Sequence, residues 1–218
     1  MKLIFFGTSD FSKPVFEALK KEGYSPIVGD LASENYFEKF KSLNPDICIV
    51  AAYGKIIPKE YLEIPKYGFL NIHPSLLPKY RGPSPIQATI LNGDKETGVT
   101  IILMDEKIDH GPILLNSKFE IRNSKKYKEL ERELAKLGAK LIIEVLPKWI
   151  RGELKPMEQN HEEATATKKF SWPDGKIDWS KSAKDLDRQI RALNPEPGTW
   201  TKWDGKILKI LDALPIPE

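Results

Sequence analysis

The sequence predicts an α/β fold with a Rossmann-like, mostly parallel sheet that has helices on both faces, followed by a small α+β unit. In the first half, short apolar runs alternate with helical patterns, as in parallel sheets covered by helices. The 218 residues suit one medium domain with a small appendage, and 40% hydrophobic content is enough for a core. A polar stretch without periodicity follows. We therefore expect a first domain over residues 1–156 and a C-terminal unit over residues 157–218 that packs on it.

The first four predicted strands are dense apolar runs bounded by glycine, proline or polar residues. They cover residues 3–6, 26–28, 47–51 and 69–72. Two helices lie between them in the sequence, over residues 10–21 and 35–43. Asp10 is a candidate N-cap for the first helix, and Pro14 falls in the first turn, where proline is tolerated.

The pattern changes in the second half, where two further strands flank a polar, turn-rich connection. These strands cover residues 98–104 and 113–121, and a long amphipathic helix covers residues 125–150. We expect Pro147 and Gly152 to mark the end of that helix. The C-terminal unit has a predicted helix up to about residue 193 and a hairpin turned by Asp204-Gly205. The final Pro215-Ile216-Pro217 cannot continue a strand.

Composition and charge narrow the classes of function. The 34 basic and 31 acidic residues give a net charge of +3, which is compatible with an anionic partner without indicating one. Cys48 is the only cysteine and lies in an apolar strand, so we expect a core residue and a reducing compartment. The chain has no apolar run of the ~18–20 residues that span a bilayer, and its N-terminal run is too short for a signal peptide. The sequence thus predicts a cytoplasmic protein without membrane association.

Several common types of site are not predicted. The three histidines have no metal-ligand spacing, and His110 and His161 are predicted to be surface residues, so we expect no metal. The segment after the first strand, Gly7-Thr8-Ser9-Asp10-Phe11, is not a dinucleotide fingerprint, and the chain has no P-loop or GxSxG motif.

Polar side chains follow the fourth predicted strand. Asn71 and His73 are two residues apart, so they point to the same side of an extended chain. Ligands of open α/β sheets bind beyond the carboxyl ends of the strands. A second polar segment, residues 104–112, offers three carboxylates in a loop, among them Asp109. By residue type alone, His73 is also compatible with a structural histidine and Asp109 with a turn.

The run Asn71-Ile72-His73-Pro74-Ser75-Leu76-Leu77-Pro78, with Lys79-Tyr80-Arg81-Gly82 after it, resembles the core motif of the folate-dependent formyltransferases. The stretch Ile108-Asp109-His110-Gly111-Pro112 is similar to the one in which that family carries its catalytic aspartate. Further stretches resemble the branch of the family that acts on methionyl-tRNA. They cover residues 6–11, 51–58, 85–87, 98–100, 176–179 and 190–195. The resemblance thus extends, in order, over most of the chain.

This resemblance implies transfer of a formyl group from 10-formyltetrahydrofolate, a co-substrate, to a primary amine, with no metal required. Asn71 and His73 would then donate hydrogen bonds to the formyl oxygen, where negative charge develops. Asp109 would take the proton of the attacking amine, directly or through a water, and would orient His73.

The resemblance also implies residues that bind the folate and residues that bind the acceptor. Those for the folate are Tyr53, Gly54, Ile56, Ser75, Leu76, Leu77, Pro78 and Asp105. Those for the acceptor are Thr8, Phe11 and Arg81. Phe11 would touch the methionine side chain, and the alternative interpretation of this residue is a plain core aromatic.

Two departures from the family leave the acceptor open. Residues 28–34 are short and acidic where the methionyl-tRNA branch has a longer basic loop, and the C-terminal unit is truncated, so the family's tRNA-gripping barrel cannot close on the residues up to Glu218. Both departures should weaken tRNA binding, which depends on phosphate neutralisation. Three hypotheses remain: formylation of initiator methionyl-tRNA, formylation of a nucleotide-linked aminosugar, and folate binding without turnover. No protein partner is predicted.

Overall fold

A six-stranded sheet forms the centre of the structure, a computed structural model that describes residues 1–122 and 124–214. Its strands are β1 (Leu3–Phe6), β2 (Ile27–Val28), β3 (Ile47–Val50), β4 (Phe69–His73), β5 (Glu96–Leu103) and β6 (Ile113–Glu120). The order across the sheet is β2-β1-β3-β4-β5-β6. The pairs among β2, β1, β3 and β4 are parallel, whereas β5 and β6 run antiparallel to their neighbours. The predicted mostly parallel α/β fold is confirmed.

Helices cover both faces of this sheet. They are α1 (Ser12–Lys21), α2 (Tyr36–Leu43), α3 (Lys59–Leu62), α4 (Pro85–Asn92), α5 (Tyr127–Ile150) and α6 (Ala183–Leu193). Short 3₁₀ turns follow α5 at His161–Glu163 and Trp172–Gly175. No helix in the ranges described above is long and apolar enough to cross a membrane.

The alternation of side chains along β1 separates two cores. Leu3 and Phe5 belong to the larger core, to which α1, α4, α5 and α6 contribute. Ile4 and Phe6 face an aromatic core under α2 and α3, where the Phe6 and Phe69 rings lie 5.8 Å apart. Since successive strand residues point to opposite faces, a strand between two cores must be apolar throughout. This explains the dense apolar runs of the sequence.

The C-terminal unit consists of α6 and the hairpin of β7 (Thr199–Trp203) and β8 (Lys206–Ile210), which turns at Asp204-Gly205 as predicted. Helix α6 contacts α4 and α5. Lys126 Nζ lies 2.6 Å from Asp212 Oδ2, and Arg191 Nη1 donates to Lys125 O at 3.0 Å. The boundary at residue 156 stays a prediction, and the Pro215-Ile216-Pro217 prediction lies outside the described residues.

The polar, non-periodic stretch between α5 and the C-terminal unit is bound along the first domain. Met157 pairs with Ile113 through two backbone hydrogen bonds of 2.7 and 2.8 Å, next to the start of β6. Ala166 forms a parallel bridge with Arg81. The backbone N–H groups and carbonyls of a connecting segment need partners, and here the loops of the first domain supply them.

Two local expectations were wrong or incomplete. Asp10 does not cap α1, because the N-cap position is Phe11 and the Asp10 carboxylate instead pairs with Lys13 at 2.9 Å and Lys128 at 3.2 Å. Helix α5 ends at Ile150, as predicted, and continues past Pro147, whose carbonyl still accepts from Arg151. Helices α3 and α4 were not predicted.

Candidate active site

The polar cluster lies at the carboxyl end of β4, where the loop between β5 and β6 folds over it. Asn71 Nδ2 donates to Asp109 Oδ1 at 3.0 Å. His73 Nδ1 lies 3.5 Å from Asp109 Oδ2, and the side chains of these two residues are only 5% and 11% exposed. The backbone N–H of Gly82 donates to the same Oδ2 at 2.8 Å. The structure therefore brings the three predicted residues Asn71, His73 and Asp109 into one cluster.

The orientation of the His73 ring follows from its two neighbours. Nε2 lies 2.9 Å from the backbone carbonyl of Tyr80, which can only accept, so Nε2 carries a hydrogen. This leaves Nδ1 towards the Asp109 carboxylate. A neutral ring presents a lone pair there, and a protonated ring presents a second N–H. The geometry thus suits a ring that exchanges a proton at Nδ1.

Tyr80 holds its carbonyl in place through its own side chain. Its hydroxyl donates to Asp94 Oδ2 at 2.6 Å and accepts from Asn92 Nδ2 at 2.8 Å. Burial, together with the hydrogen bond to Asp94, raises the pKa of Tyr80 to about 12. The hydroxyl therefore keeps its hydrogen at neutral pH. Its bond to Asp94 thus continues to hold Tyr80, whose carbonyl is the partner of His73.

The loop that carries Asp109 has a constrained backbone. Asp109 itself lies in the left-handed region with φ of 48°, which aspartate tolerates better than most residues. A Cβ on Gly111 would come within 1.9 Å of the carbonyl oxygen of Leu103. Only glycine allows the loop to pack this closely against the end of β5.

Gln159 is a site neighbour that sequence reasoning missed. Its buried amide nitrogen donates to the carbonyls of Asp109 at 2.9 Å and Gly111 at 2.7 Å. Its amide oxygen accepts from Arg81 Nη2 at 2.6 Å and, more weakly, from Nε at 3.2 Å. Nothing in the local sequence marks Gln159, because it lies in a polar, non-periodic stretch.

The four predicted folate-binding residues that follow β4 differ in how exposed they are. Ser75 and Leu77 are buried, and Leu76 and Pro78 are half-buried. Thr100 on β5 holds this loop, since its hydroxyl donates to Ser75 O at 2.7 Å and accepts from Leu77 N at 3.1 Å. The buried pair therefore shapes the loop, and the other two side chains present surface.

The remaining predicted folate residues lie after β3 and β5. Tyr53 is a buried member of the aromatic core, and its hydroxyl accepts from Leu31 N at 2.7 Å. Gly54 is exposed, and Ile56 is 76% exposed. Asp105 accepts from His110 Nδ1 at 2.6 Å. Of the Tyr53 side chain, almost nothing is open to a ligand, so any contact with folate would come from its backbone.

The predicted acceptor residues are also dispersed. Thr8 is exposed, and its hydroxyl lies 3.4 Å from Tyr53 O. The expectation that Phe11 touches the acceptor is not supported, because its ring is 2% exposed and packs in the larger core. The Arg81 guanidinium is held by Gln159 and by His161 Nδ1, at 2.8 Å from the latter.

His161 is exposed as predicted, whereas His110 is partly buried. The two rings stack with centroids 4.1 Å apart and an interplanar angle of 7°. A polar chain thus runs from Asp105 through the stacked histidines to Arg81.

The fold and the cluster together define a class: an α/β protein that holds an amide, an imidazole and a carboxylate at the end of a central strand. Residues 1–146 match the formyl transferase family, and residues 169–218 match the C-terminal domain of formyl transferases. The chain therefore belongs to the formyl transferase family.

Similar proteins include two curated methionyl-tRNA formyltransferases. The one from Chloroflexus aurantiacus is 46% identical over 176 residues, which make up 81% of this chain and 57% of that protein. The one from Caldanaerobacter subterraneus is 38% identical over an aligned length of 248 residues, with 98% of this chain and 80% of that protein covered. The chain thus spans little more than half the length of the first relative.

The fold is also similar to that of a solved sugar N-formyltransferase from a Shewanella species. The TM-score is 0.79 at 17% sequence identity, with 99% of this chain and 98% of that chain covered. At this identity the likeness shows a shared fold alone.

Proposed function

We propose that this protein transfers a formyl group from 10-formyltetrahydrofolate to the amine of the methionyl group of initiator methionyl-tRNA. The observation that carries the proposal is the cluster of Asn71, His73 and Asp109, in a chain that belongs to the formyl transferase family. The two methionyl-tRNA formyltransferases similar to the chain support this choice of acceptor.

The proposed reaction is an acyl transfer between two nitrogens. The acceptor nitrogen attacks the formyl carbon, a new C–N bond forms, and negative charge collects on the formyl oxygen. Asn71 has two amide hydrogens and donates one of them to Asp109, so the other is available to that oxygen. A protonated His73, whose Nδ1 faces Asp109, would add a positive charge beside that oxygen. A fixed donor at such an oxygen typically contributes ~10²–10³ in rate.

Proton transfer is the second task of the site. The acceptor amine is an ammonium at neutral pH and must lose a proton before it attacks. Asp109 is placed to take it, directly or through a water, with its carboxylate fixed by the N–H of Gly82 and the amide of Asn71. After the attack the acceptor nitrogen releases a second proton, and the folate nitrogen takes this proton as its bond to the formyl carbon breaks. The first proton passes from Asp109 to solvent.

The surroundings of the cluster fit a flat, largely apolar co-substrate. Ile108, next to Asp109, is 61% exposed, and Ile56 is 76% exposed. The loops that carry them are joined by an ion pair between Lys59 and Glu106, 2.6 Å long. Exposed isoleucines beside a polar cluster are the composition expected of a small-molecule site. We assign the pterin to this surface, and Leu76 and Pro78 remain predicted folate residues.

The acceptor would approach from a neighbouring groove of about 470 Å³. This groove is lined by the cations Lys79 and Lys168 and by the aromatic side chains of Tyr80 and Phe170. Lysines suit phosphates, and aromatic rings suit nucleobases. Both a tRNA end and a nucleotide-linked sugar carry these groups, so the groove does not separate the two acceptors.

A nucleotide-linked aminosugar is the second candidate because of residues 28–34. There the Asp30 carboxylate binds the N–H of Ala32 at 2.9 Å and lies 3.6 Å from Lys55 Nζ. This short acidic turn repels a nucleic-acid backbone and does not affect a small acceptor in the same way.

The test is formylation of each acceptor by the purified protein. The protein is incubated with 10-formyltetrahydrofolate and either methionine-charged initiator tRNA or a nucleotide-linked 4-aminosugar. The masses of the products are then measured by mass spectrometry. We expect formyl-methionyl-tRNA, and a rate that falls as salt rises because phosphate contacts are screened. Formylation of the sugar alone would show that the acceptor is wrong. Folate binding with neither product would support a protein without turnover.

A further inference from the structure

We propose that Gln159 is a positioning residue for Asp109. Gln159 lies just after the predicted end of the first domain, and its side chain contacts the Asp109 loop within that domain. The inference rests on the proposed formyl transfer. Gln159 follows Asp109 by 50 residues and lies in the segment 157–167, which connects α5 to the C-terminal unit. Its side chain is 5% exposed, so its polar atoms need partners within the protein.

The partners of Gln159 use the full capacity of its amide. The two hydrogens on Nε2 go to two carbonyls of the same loop, those of Asp109 and Gly111, at 2.9 and 2.7 Å. The oxygen accepts from the guanidinium of Arg81, a charge-assisted bond of 2.6 Å. A single buried amide therefore clamps two points of the loop that carries the proposed base.

The two hydrogen bonds from Gln159 hold a backbone segment that is in an unfavourable conformation. Asp109 has a positive φ of 48°, in the left-handed region that L-residues seldom adopt. In that conformation its carboxylate meets the N–H of Gly82 and faces His73. If the carbonyls were released, the loop could relax and shift the carboxylate. A misplacement of about 1 Å can cost ~10²-fold in rate.

The clamp is itself held at both ends. Two residues before Gln159, Met157 pairs with Ile113 at the start of β6. At the other end of the segment, Arg81 N donates to Thr165 O at 2.8 Å, and Thr167 N donates to Arg81 O at 2.7 Å. The segment is therefore tied both to the Asp109 loop and to the loop that follows β4.

The chain offers a matched control in Gln189 on α6. This residue is also buried, and its Nε2 also donates to two carbonyls, those of Asp174 at 3.0 Å and Lys176 at 3.1 Å. Those carbonyls belong to the C-terminal unit. Gln159→Met and Gln189→Met each replace the amide by an apolar side chain of similar length. Each leaves two carbonyls without their donor, so we expect both to lower the midpoint of thermal unfolding. Gln159→Met should lower it further, because Arg81 also loses its acceptor.

Activity should separate the two variants. We expect Gln159→Met to lower kcat ~10- to 100-fold, because the base is misplaced, with KM for the acceptor changed less than about threefold. Gln189→Met should leave kcat within about twofold at a temperature where both variants are folded. A purely structural role of Gln159 would predict the same kcat for both.

A second measurement needs no turnover: hydrogen exchange of the amides of residues 104–112, read by mass spectrometry. We expect faster exchange in Gln159→Met than in the unmodified protein, and no change in Gln189→Met. Equal kcat values, or unchanged exchange in Gln159→Met, would overturn the positioning role. If the unmodified protein formylates neither acceptor, the proposed function fails, and the exchange comparison alone decides whether Gln159 positions the loop.

Discussion

At the scale of single residues, each of the two ring nitrogens of His73 faces a different group. The Tyr80 carbonyl accepts from Nε2, and Asp109 faces Nδ1. Tyr80 presents its carbonyl from a left-handed conformation with φ of 62°. The ring therefore cannot turn without losing a hydrogen bond, and its free protonation site is directed at the proposed base.

Substitution of the cluster should remove activity and leave the fold. We expect Asp109→Asn and His73→Ala each to lower kcat by ~10²–10⁴, because proton transfer or charge stabilisation is lost. Initial rates of formylation and thermal unfolding are to be measured on the same samples. Asp174→Asn is the control, since that carboxylate accepts from the Ser171 N–H at 2.8 Å much as Asp109 accepts from Gly82. Rates near normal in both cluster variants would exclude these residues from the chemistry.

At the scale of elements, β3 is a strand enclosed on both faces, and all four of its residues are buried. Cys48 lies in its middle, pairs with Ile4 of β1 and is 0% exposed. Burial raises the pKa of its thiol far above the usual value. The expectation that Cys48 is a core residue agrees with this placement.

Alkylation of Cys48 should therefore report the opening of β3. The thiolate is the reactive form, and a raised pKa means that very little thiolate exists in the folded protein at pH 8 or 9. We expect iodoacetamide to label the folded protein ~10³-fold or more slowly than the protein in urea, because labelling requires unfolding of the central sheet. Mass spectrometry gives both rates. Rapid labelling without denaturant would contradict a central position of β3.

The elements differ in how well their local sequence predicts their structure. Helix α4 has Pro85 in its first turn and Gly93, with φ of 67°, directly after its end, so ordinary start and stop signals were present and were overlooked. The segment 157–167 has no such signals. Its backbone forms isolated bridges with residues more than forty positions away, and no local pattern encodes such pairing.

At the scale of the whole molecule, the ion pair between Arg191 and Asp187 lies where the C-terminal unit meets α5. Arg191 and Asp187 on α6 are 2.7 Å apart, and both side chains are 13% exposed. Arg191 also donates to the carbonyl of Lys125, just before α5. The pair thus combines a contact within α6 with a contact between the two parts of the chain.

Loss of this arginine should destabilise the protein measurably. We expect Arg191→Met to lower the free energy of unfolding by about 2–3 kcal/mol, because Asp187 and the Lys125 carbonyl lose their partner in a largely buried place. Urea unfolding followed by fluorescence gives the value.

The exposed pair of Arg151 and Glu153 is the control. Its side chains are 57% and 51% exposed, and Arg151→Met should cause no measurable change because solvent screens the charges. Equal effects of the two substitutions would mean that the α6 ion pair contributes nothing to docking.

By itself, the sequence determined the order of the strands along the chain, the apolar faces and the family. These follow from local periodicity and from contiguous motifs, such as Asn71 to Pro78. Only the tertiary structure decided that Asn71, His73 and Asp109 meet, that Phe11 is enclosed in the core, and that Gln159 clamps the Asp109 loop. Those facts depend on sheet order and loop packing, which join residues tens of positions apart and leave no trace in the local pattern of either partner.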